Sequence, residues 1–574
     1  MRRIFVLALA ALALLGVVTP DAFAQAPTPT FKINGLIDQV ATYSRNVSNY
    51  DGNLNVNDIQ FYGRTRGRFD FIGEVGKAKG VLGLELDMTY GQTGSNDSTI
   101  VNAGGAAATP VQAQFGTNGG FDLNTDTRGI LEVKWLYTEF ELPLIPVPTV
   151  VRLGAQPFGS AANYKLAAYA TGDFPGVNIV STITPNVKIN FTYVQVEEAL
   201  TGCPQGAHNG TVTGPPCTQT GTLNTNAGGI SYQQLRGDDL AFILAPEITP
   251  IKGLDLKPMF SYFYADGTTN GNARQGRGGI NTTTAFSTNG TNYTAGINEN
   301  RYTIGLDARY RMGPFSLDPT IMYQFGNRQV VVPTALASPS GLTAGSIAKA
   351  DISAWLLDVR AGFQIGPLLL EAMYMYTTGN TAQNTTLKKL SYFQPLTTDT
   401  GYLADWGTQL SSLGIDYLNA MLESGLPIAY PGVSIGWDKY GRQQFGLKAS
   451  YFLTPSLSAT GGAAVLLTAQ KIDTNGTPGN DISTPGCVVG GTARCNVSGG
   501  GLLPDYAQGI KADTIYMGTE LHGTVSWRFA PGLSLDSGVG YIFAGEGMNA
   551  LTAVNGPRNA KDSFIMTSRV RITF

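Results

Sequence analysis

The sequence predicts an all-β fold, a transmembrane antiparallel β-barrel of about eighteen strands, with sixteen left open. Three observations predict it. First, residues 57–73, NDIQFYGRTRGRFDFIG, alternate in character. In an extended chain Asp58, Gln60, Tyr62, Arg64, Arg66, Arg68 and Asp70 share one face. Ile59, Phe61, Gly63, Thr65, Gly67, Phe69 and Phe71 share the other. Second, charged residues make up only 14% of the 574, well below soluble proteins. Mean hydropathy is nevertheless -0.01, and no stretch past the first 25 residues could be a membrane-spanning helix. A barrel reconciles the two, because its apolar residues are spread at period two. Third, the connections between strands alternate strictly between short and long.

The elements follow in order. Residues 1–24 open with Arg2 and Arg3, run apolar from Ile4 to Val18, and end in Ala22-Phe23-Ala24. This is the pattern of a cleaved secretory signal peptide. The barrel is then expected over 25–574. Strand 1 falls near Phe31–Thr42, and strand 2 carries the arginines. Strand 3 sets Leu82, Leu84, Leu86 and Met88 against Glu85 and Asp87. Strand 4 is expected to put Leu131, Val133, Trp135 and Tyr137 outward, with Arg128, Glu132 and Lys134 inward. Strand 5 turns Arg152 inward. Strand 10 repeats the charged face with Arg301, Asp307, Arg309 and Arg311. Strand 12 offers Asp358 and Arg360, strand 14 Arg442 and Lys448, and strand 16 Glu520, His522 and Arg528. The final strand alternates Phe564, Met566, Val570, Ile572 and Phe574 with Arg569 and Arg571.

Short turns are expected at Pro246–Gly253, Met312-Gly313-Pro314, Gly366-Pro367, Thr454-Pro455-Ser456 and Ala530-Pro531-Gly532. Proline suits them because it cannot donate to a strand ladder. Long loops fall between. In one of them Tyr402, Trp406, Leu410, Leu413, Tyr417 and Met421 recur at three to four, predicting a helix over 399–423. It could pack loop tips together, cover a pore or meet a partner.

The cysteines are Cys203, Cys217, Cys487 and Cys495, two local pairs in loops. In an exported chain two short-range disulfides are expected. No Cys-x-x-Cys or paired histidines suggest a metal, and no cofactor is expected. The histidines are His208 and His522. His522 shares a strand face with Ser526, but four positions on a strand span about 13 Å, too far for a proton-transfer pair. An enzyme is therefore not expected. Net charge of -3 argues against a general nucleic-acid binder.

With these elements in place the chain resembles the porins of the Gram-negative outer membrane. The terminal Phe574 with alternating apolar residues before it is similar to that family's assembly signal. The segment RLGAQPFGSAANYKLAAYATGDFPGVNIV is similar to the porin segment whose loop folds into the lumen, here 157–175. Arg64, Arg66 and Arg68 resemble the basic ladder facing that loop, and also resemble alginate-export and sugar-specific barrels. Asp173 is the only acid of the loop, where general porins carry several. The resemblance implies an outer-membrane location and passive diffusion of small hydrophilic solutes. It also implies contact with membrane lipid and a homotrimer.

A wet lumen makes the inward arginines tolerable, since one facing lipid at mid-bilayer costs roughly 2–4 kcal/mol. The expected pore lining is Arg64, Arg66, Arg68, Arg152, Asp173, Arg301, Asp307, Arg309, Arg311, Asp358, Arg360 and Arg442. Cations outnumber acids there, which predicts a mild anion preference or affinity for anionic or hydroxyl-rich solutes. Pairing with Asp58, Asp70, Asp307 and Asp358 would instead brace the wall. Trp135, Tyr137, Trp527 and Tyr541 are expected in interfacial girdles. Tyr62 and Tyr164 are the inward aromatics that a sugar could stack on. A channel specific for an anionic polysaccharide or sugar, or a non-conducting structural or adhesive barrel, stays open.

Overall fold

The computed structural model describes residues 27–46, 59–90, 119–121, 130–143, 145–197, 236–267, 286–288, 291–293, 296–331, 342–343, 346–381, 388–397, 400–403, 406, 440–472, 487–489, 492–495, 514–551 and 560–574. Eighteen strands wind in chain order into one closed sheet. They are β1 (Thr30–Arg45), β2 (Ile59–Val75), β3 (Ala78–Tyr90), β4 (Ile130–Glu141), β5 (Thr149–Pro157) and β6 (Asp173–Thr184). Then come β7 (Val187–Glu197), β8 (Arg236–Leu244, resumed at Glu247–Ile251), β9 (Leu254–Gly267), β10 (Gly296–Met312), β11 (Phe315–Val331) and β12 (Ile347–Ile365). The last six are β13 (Leu368–Thr377), β14 (Arg442–Thr454), β15 (Leu457–Ile472), β16 (Thr514–Ala530), β17 (Leu533–Ala544) and β18 (Ser563–Thr573).

Neighbours pair antiparallel, and β1 pairs with β18, setting Leu36 opposite Thr573. The last residue completes the seam. Phe574 N–H donates to the Gly35 carbonyl at 3.0 Å, and Gly35 N–H donates back at 2.8 Å. Closure leaves no unpaired edge, which a wall in lipid requires.

The short turns are tight because glycine supplies a left-handed residue. Gly313 and Gly366 have φ of +55° and +56° in the turns before β11 and β13. Pro246 stands elsewhere than its expected turn. Lacking an N–H, it interrupts β8, which resumes at Glu247 and turns at Lys252-Gly253.

One face of the wall is apolar and exposed. Leu131, Val133, Ile304, Leu306, Leu521, Val525, Val539 and Met566 all lie there, as do Trp527 and Tyr541. Alternate positions such as Asp38, Arg64, Glu85, Arg301, Asp307 and Asp358 are buried. Exposed apolar residues at period two around a closed cylinder make the surface of a membrane-spanning barrel.

β4 breaks the expected register. Gly83 on β3 pairs with Trp135, while the next residue, Leu84, pairs with Val133, so Lys134 is an extra residue. Such a bulge reverses every side chain beyond it. Leu131 and Val133 face outward as expected. Past the bulge Leu136 takes the exposed face, and Trp135 and Tyr137 turn inward. Neither belongs to a girdle. Gly83 makes the reversal possible, since a Cβ there would meet the Trp135 indole at 2.0 Å.

Of the expected helix over 399–423, the described part is a single 3-10 turn, Thr400–Leu403. The rest of it, apart from Trp406, lies outside the described residues, as do the 1–24 segment, Asp58, Arg128, Cys203, Cys217 and His208.

Candidate pore and its waist

The loop from β5 to β6 identifies the interior. It contains two 3-10 turns, Ser160–Ala162 and Tyr164–Ala168. Ser160 Oγ donates to Glu247 Oε1 on β8 at 2.9 Å, and Tyr169 Oη lies 2.7 Å from Ser261 Oγ on β9. Asn163 Oδ1 accepts from Arg309 on β10 at 3.2 Å, and Tyr164 Oη donates to Asp318 Oδ2 on β11 at 2.7 Å. Lys165 Nζ donates to the Asp318 carbonyl and, at 2.8 Å, to the Asp358 carbonyl on β12. A loop leaving β5 touches five such strands only by crossing the interior. The face carrying Asp307, Arg309, Asp318, Asp358 and Arg360 is therefore lumenal, and the exposed apolar face is the exterior.

A second segment between β13 and β14, described over 388–397, 400–403 and 406, packs against the first. Leu396 N–H donates to the Tyr169 carbonyl at 2.8 Å, and Thr171 N–H to the Thr397 carbonyl at 3.1 Å. Gln394 is clamped by Gln324 through two hydrogen bonds of 2.7 and 2.8 Å. Its Oε1 accepts from Arg301 at 3.1 Å and from Arg328 at 2.5 Å. Tyr402 Oη donates to Asp358 Oδ2 at 2.7 Å. Phe158, Leu166, Tyr169, Phe393, Leu396 and Trp406 bury a small apolar core between the loops. Sequence reasoning missed Gln394, Gln324 and Arg328. The apolar run Tyr392-Phe393 inside a Thr/Asn-rich loop was the available signal.

Burial sets the protonation behaviour of these loops. The Lys165 ammonium is lowered to about 8 by desolvation, which the carboxylate of Asp358 3.6 Å away only partly offsets. Burial, then a hydrogen bond to Asp318, pushes the Tyr164 phenol up. Burial likewise raises Tyr169, and raises Tyr402 well above the usual range.

The wall is a set of ion pairs. Arg66 binds Asp87 through two bonds of 2.7 Å, in the fork geometry that suits guanidinium and carboxylate. Arg64 lies 3.4 Å from Asp87, and Arg68 pairs with Glu85. Lys134 reaches Asp173 at 3.1 Å, and Arg152 reaches Glu139 at 2.6 Å while stacking on Tyr137. Arg301 pairs with Glu299 at 3.0 Å, Arg309 with Asp307 at 4.0 Å, and Arg360 with Asp358 at 2.9 Å. Arg311 pairs with Asp318. Arg442 is buried at the start of β14, where its N–H donates to Thr377 Oγ1 at 3.0 Å. The three arginines of β2 thus take their acids from β3. Asp70 instead accepts from Trp135 Nε1 at 3.0 Å.

Exposure rises toward the short-turn end. Along β2 the side chains of Arg64, Arg66 and Arg68 are 2%, 15% and 35% exposed. Along β10, Arg301, Arg309 and Arg311 go from 0% to 25% to 49%. A cavity of about 530 Å³ lies at that end, lined in part by Arg528, Asp536, Arg569 and Arg571. The charged face is therefore solvent-accessible near the short turns and packed at the level of the loops.

No family model and no curated protein matches the chain. Among solved structures it is similar to Acinetobacter baumannii OccAB1, at 10% identity and a TM-score of 0.44, over 95% of this chain and 96% of that one. It is similar to Pseudomonas aeruginosa OccK8 (OprE) at 10% identity and a TM-score of 0.42, over 95% and 98%. A BenF-like porin from Pseudomonas fluorescens Pf-5 aligns over 95% of this chain and 99% of its own, at 9% identity and a TM-score of 0.44. These likenesses run the length of the chains at low identity, and the functional reading below rests on the barrel itself.

Proposed function

We propose that this chain is an outer-membrane porin, a channel for passive diffusion of small hydrophilic solutes with a mild preference for anions. An apolar exterior around a charged, partly wet interior has one economical use, a passage through lipid. The orientation of the ion pairs supports the anion preference. In three of them the cation meets the water and the acid is covered: Arg68 is 35% exposed against 7% for Glu85, Arg311 49% against 6% for Asp318, and Arg571 30% against 1% for Asp38. Each pair is neutral, yet a passing ion meets its positive end.

A second reading has support at the waist. Arg309 stacks on Tyr164 at 3.8 Å, Arg360 lies 5.0 Å from the Tyr402 ring centre, and Lys448 lies 4.2 Å from that of Trp406. Cations set against aromatic rings suit a channel selective for an anionic sugar. Planar-bilayer recording of the purified protein tests both. Discrete steps with a reversal potential on the anion side support the porin. Saturating block by an acidic oligosaccharide favours the selective channel. Absence of any conductance overturns both and leaves a structural or adhesive barrel. Export through the 1–24 segment as a signal peptide belongs to the same reading.

A further inference from the structure

The bulge in β4 turns one flat aromatic face toward the lumen, away from the waist. Asp70 on β2, Gly83 on β3 and Trp135 on β4 stand in one row across the wall. The row lies one inward position past Arg68, on the side where the charged face is solvent-accessible. The indole reaches sideways over Gly83, and its Nε1 donates to Asp70 Oδ1 at 3.0 Å. A Cβ on Gly83 would lie 2.0 Å from Nε1 and 2.4 Å from each of the carbons bonded to it, Cδ1 and Cε2. Distances this similar place that Cβ above the ring plane and not at the ring edge. The indole therefore lies flat on the wall, with one face against glycine and the other toward the lumen. It is half-buried.

The polar groups around this plate are of two kinds. The cations are engaged: Arg68 pairs with Glu85, Lys134 with Asp173 at 3.1 Å, and Arg152 with Glu139 at 2.6 Å while it covers the Tyr137 ring. Lys134 Nζ stands off the plate, 5.7 Å from the ring centre. Two other groups have no hydrogen-bond partner among the described residues. One is Asp70 Oδ2, beside the oxygen that holds the indole, and the other is the hydroxyl of Tyr137, the next inward side chain on β4. A flat aromatic face bordered by a carboxylate oxygen and a phenol suits a pyranose. The C–H bonds of the sugar pack on the ring, and its hydroxyls donate to the carboxylate and exchange hydrogen bonds with the phenol. A solute bearing a carboxylate is disfavoured here, because Asp70 repels it and the nearby cations are taken.

We propose that Trp135, Asp70 and Tyr137 form a lumenal binding site for an uncharged hexopyranoside, separate from the waist. The proposal rests on the reading of the interior as a solvent-filled passage. Full-length protein is purified in lauryldimethylamine oxide, which has no sugar headgroup, and maltotriose and cellotriose are the probes. In planar bilayers one of them is expected to reduce the wild-type current saturably. Trp135→Leu is expected to raise the half-blocking concentration about tenfold, with open conductance and heat-dependent migration unchanged. Trp135→Phe, which retains a smaller ring, is expected to raise it less, and stands in for Trp135→Leu should that variant lose the barrel. In detergent the same sugar is expected to change the tryptophan fluorescence of wild type and not of Trp135→Leu. A conducting wild type that neither sugar blocks overturns the site. So does a block that survives Trp135→Leu unchanged, or benzoate blocking at lower concentration than either sugar. A wild type without conductance strikes instead at the passage, and the fluorescence titration then decides the site by itself.

Discussion

Lys165 and Asp358 join the two sides of the lumen. The ammonium, on the loop after β5, donates at 2.8 Å to the carbonyl of Asp358 on β12, and its side chain is 1% exposed. The Asp358 carboxylate also holds Arg360 and Tyr402. One aspartate thus ties the first loop, the second loop and the wall together.

That tie has a pH signature. Lys165 titrates near 8 in the folded protein, below its ordinary range near 10.4. Between those values the unfolded chain binds more protons, so stability should rise with pH across about 8 to 10.4 and be flat in this respect below 8. The gain is on the order of 3 kcal/mol. Urea unfolding of wild type and Lys165→Met across pH 7–10.5 checks it, with the slope expected only in wild type.

The bulge in β4 should be intolerant at Gly83. A Cβ there would sit inside the Trp135 indole, so Gly83→Ala must push the ring away and cost roughly 1–3 kcal/mol. Trp135→Phe keeps the space but strips a donor from Asp70, at about 1 kcal/mol. Urea midpoints of both variants measure the two costs.

Arg66 and Asp87 should behave as one unit. Arg66→Ala is expected to move the reversal potential toward cations, and Asp87→Ala toward anions. In stability the double variant should lose less than the sum of the singles, with a coupling on the order of 1–3 kcal/mol. A coupling near zero would show that the fork seen at 2.7 Å contributes nothing.

Cys487 and Cys495 occupy paired positions of a short hairpin, Cys487–Val489 with Thr492–Cys495. In an exported protein they are expected to be joined. Alkylation without reductant should leave both unlabelled, while Cys487→Ser should expose one reactive thiol at Cys495. Barrel stability should stay within about 0.5 kcal/mol, as the hairpin is no part of the wall.

Much of the barrel was legible because each of its rules is local. The alternation in 57–73 and in the last strand requires only that neighbours point apart, and Arg64, Phe564 and Arg571 lie as that rule places them. The short turns announced themselves through glycine and proline. Trp135 shows where the rule ends. One extra residue reverses a face, and nothing in ILEVKWLY marks Lys134 as the extra one until Gly83 is seen opposite the ring. The waist was harder still. Gln394 is an ordinary loop amide in the sequence, and its meeting with Arg301, Gln324 and Arg328 depends on contacts between residues far apart in the chain.

The seam carries a consequence for biogenesis. Gly35 in β1 exchanges both backbone hydrogen bonds with Phe574, the residue after β18. The cylinder therefore cannot shut until β18, more than 500 residues further along the chain, has been delivered to β1. Every intermediate that precedes this pairing has two raw margins to shield, one on β1 and one on β18.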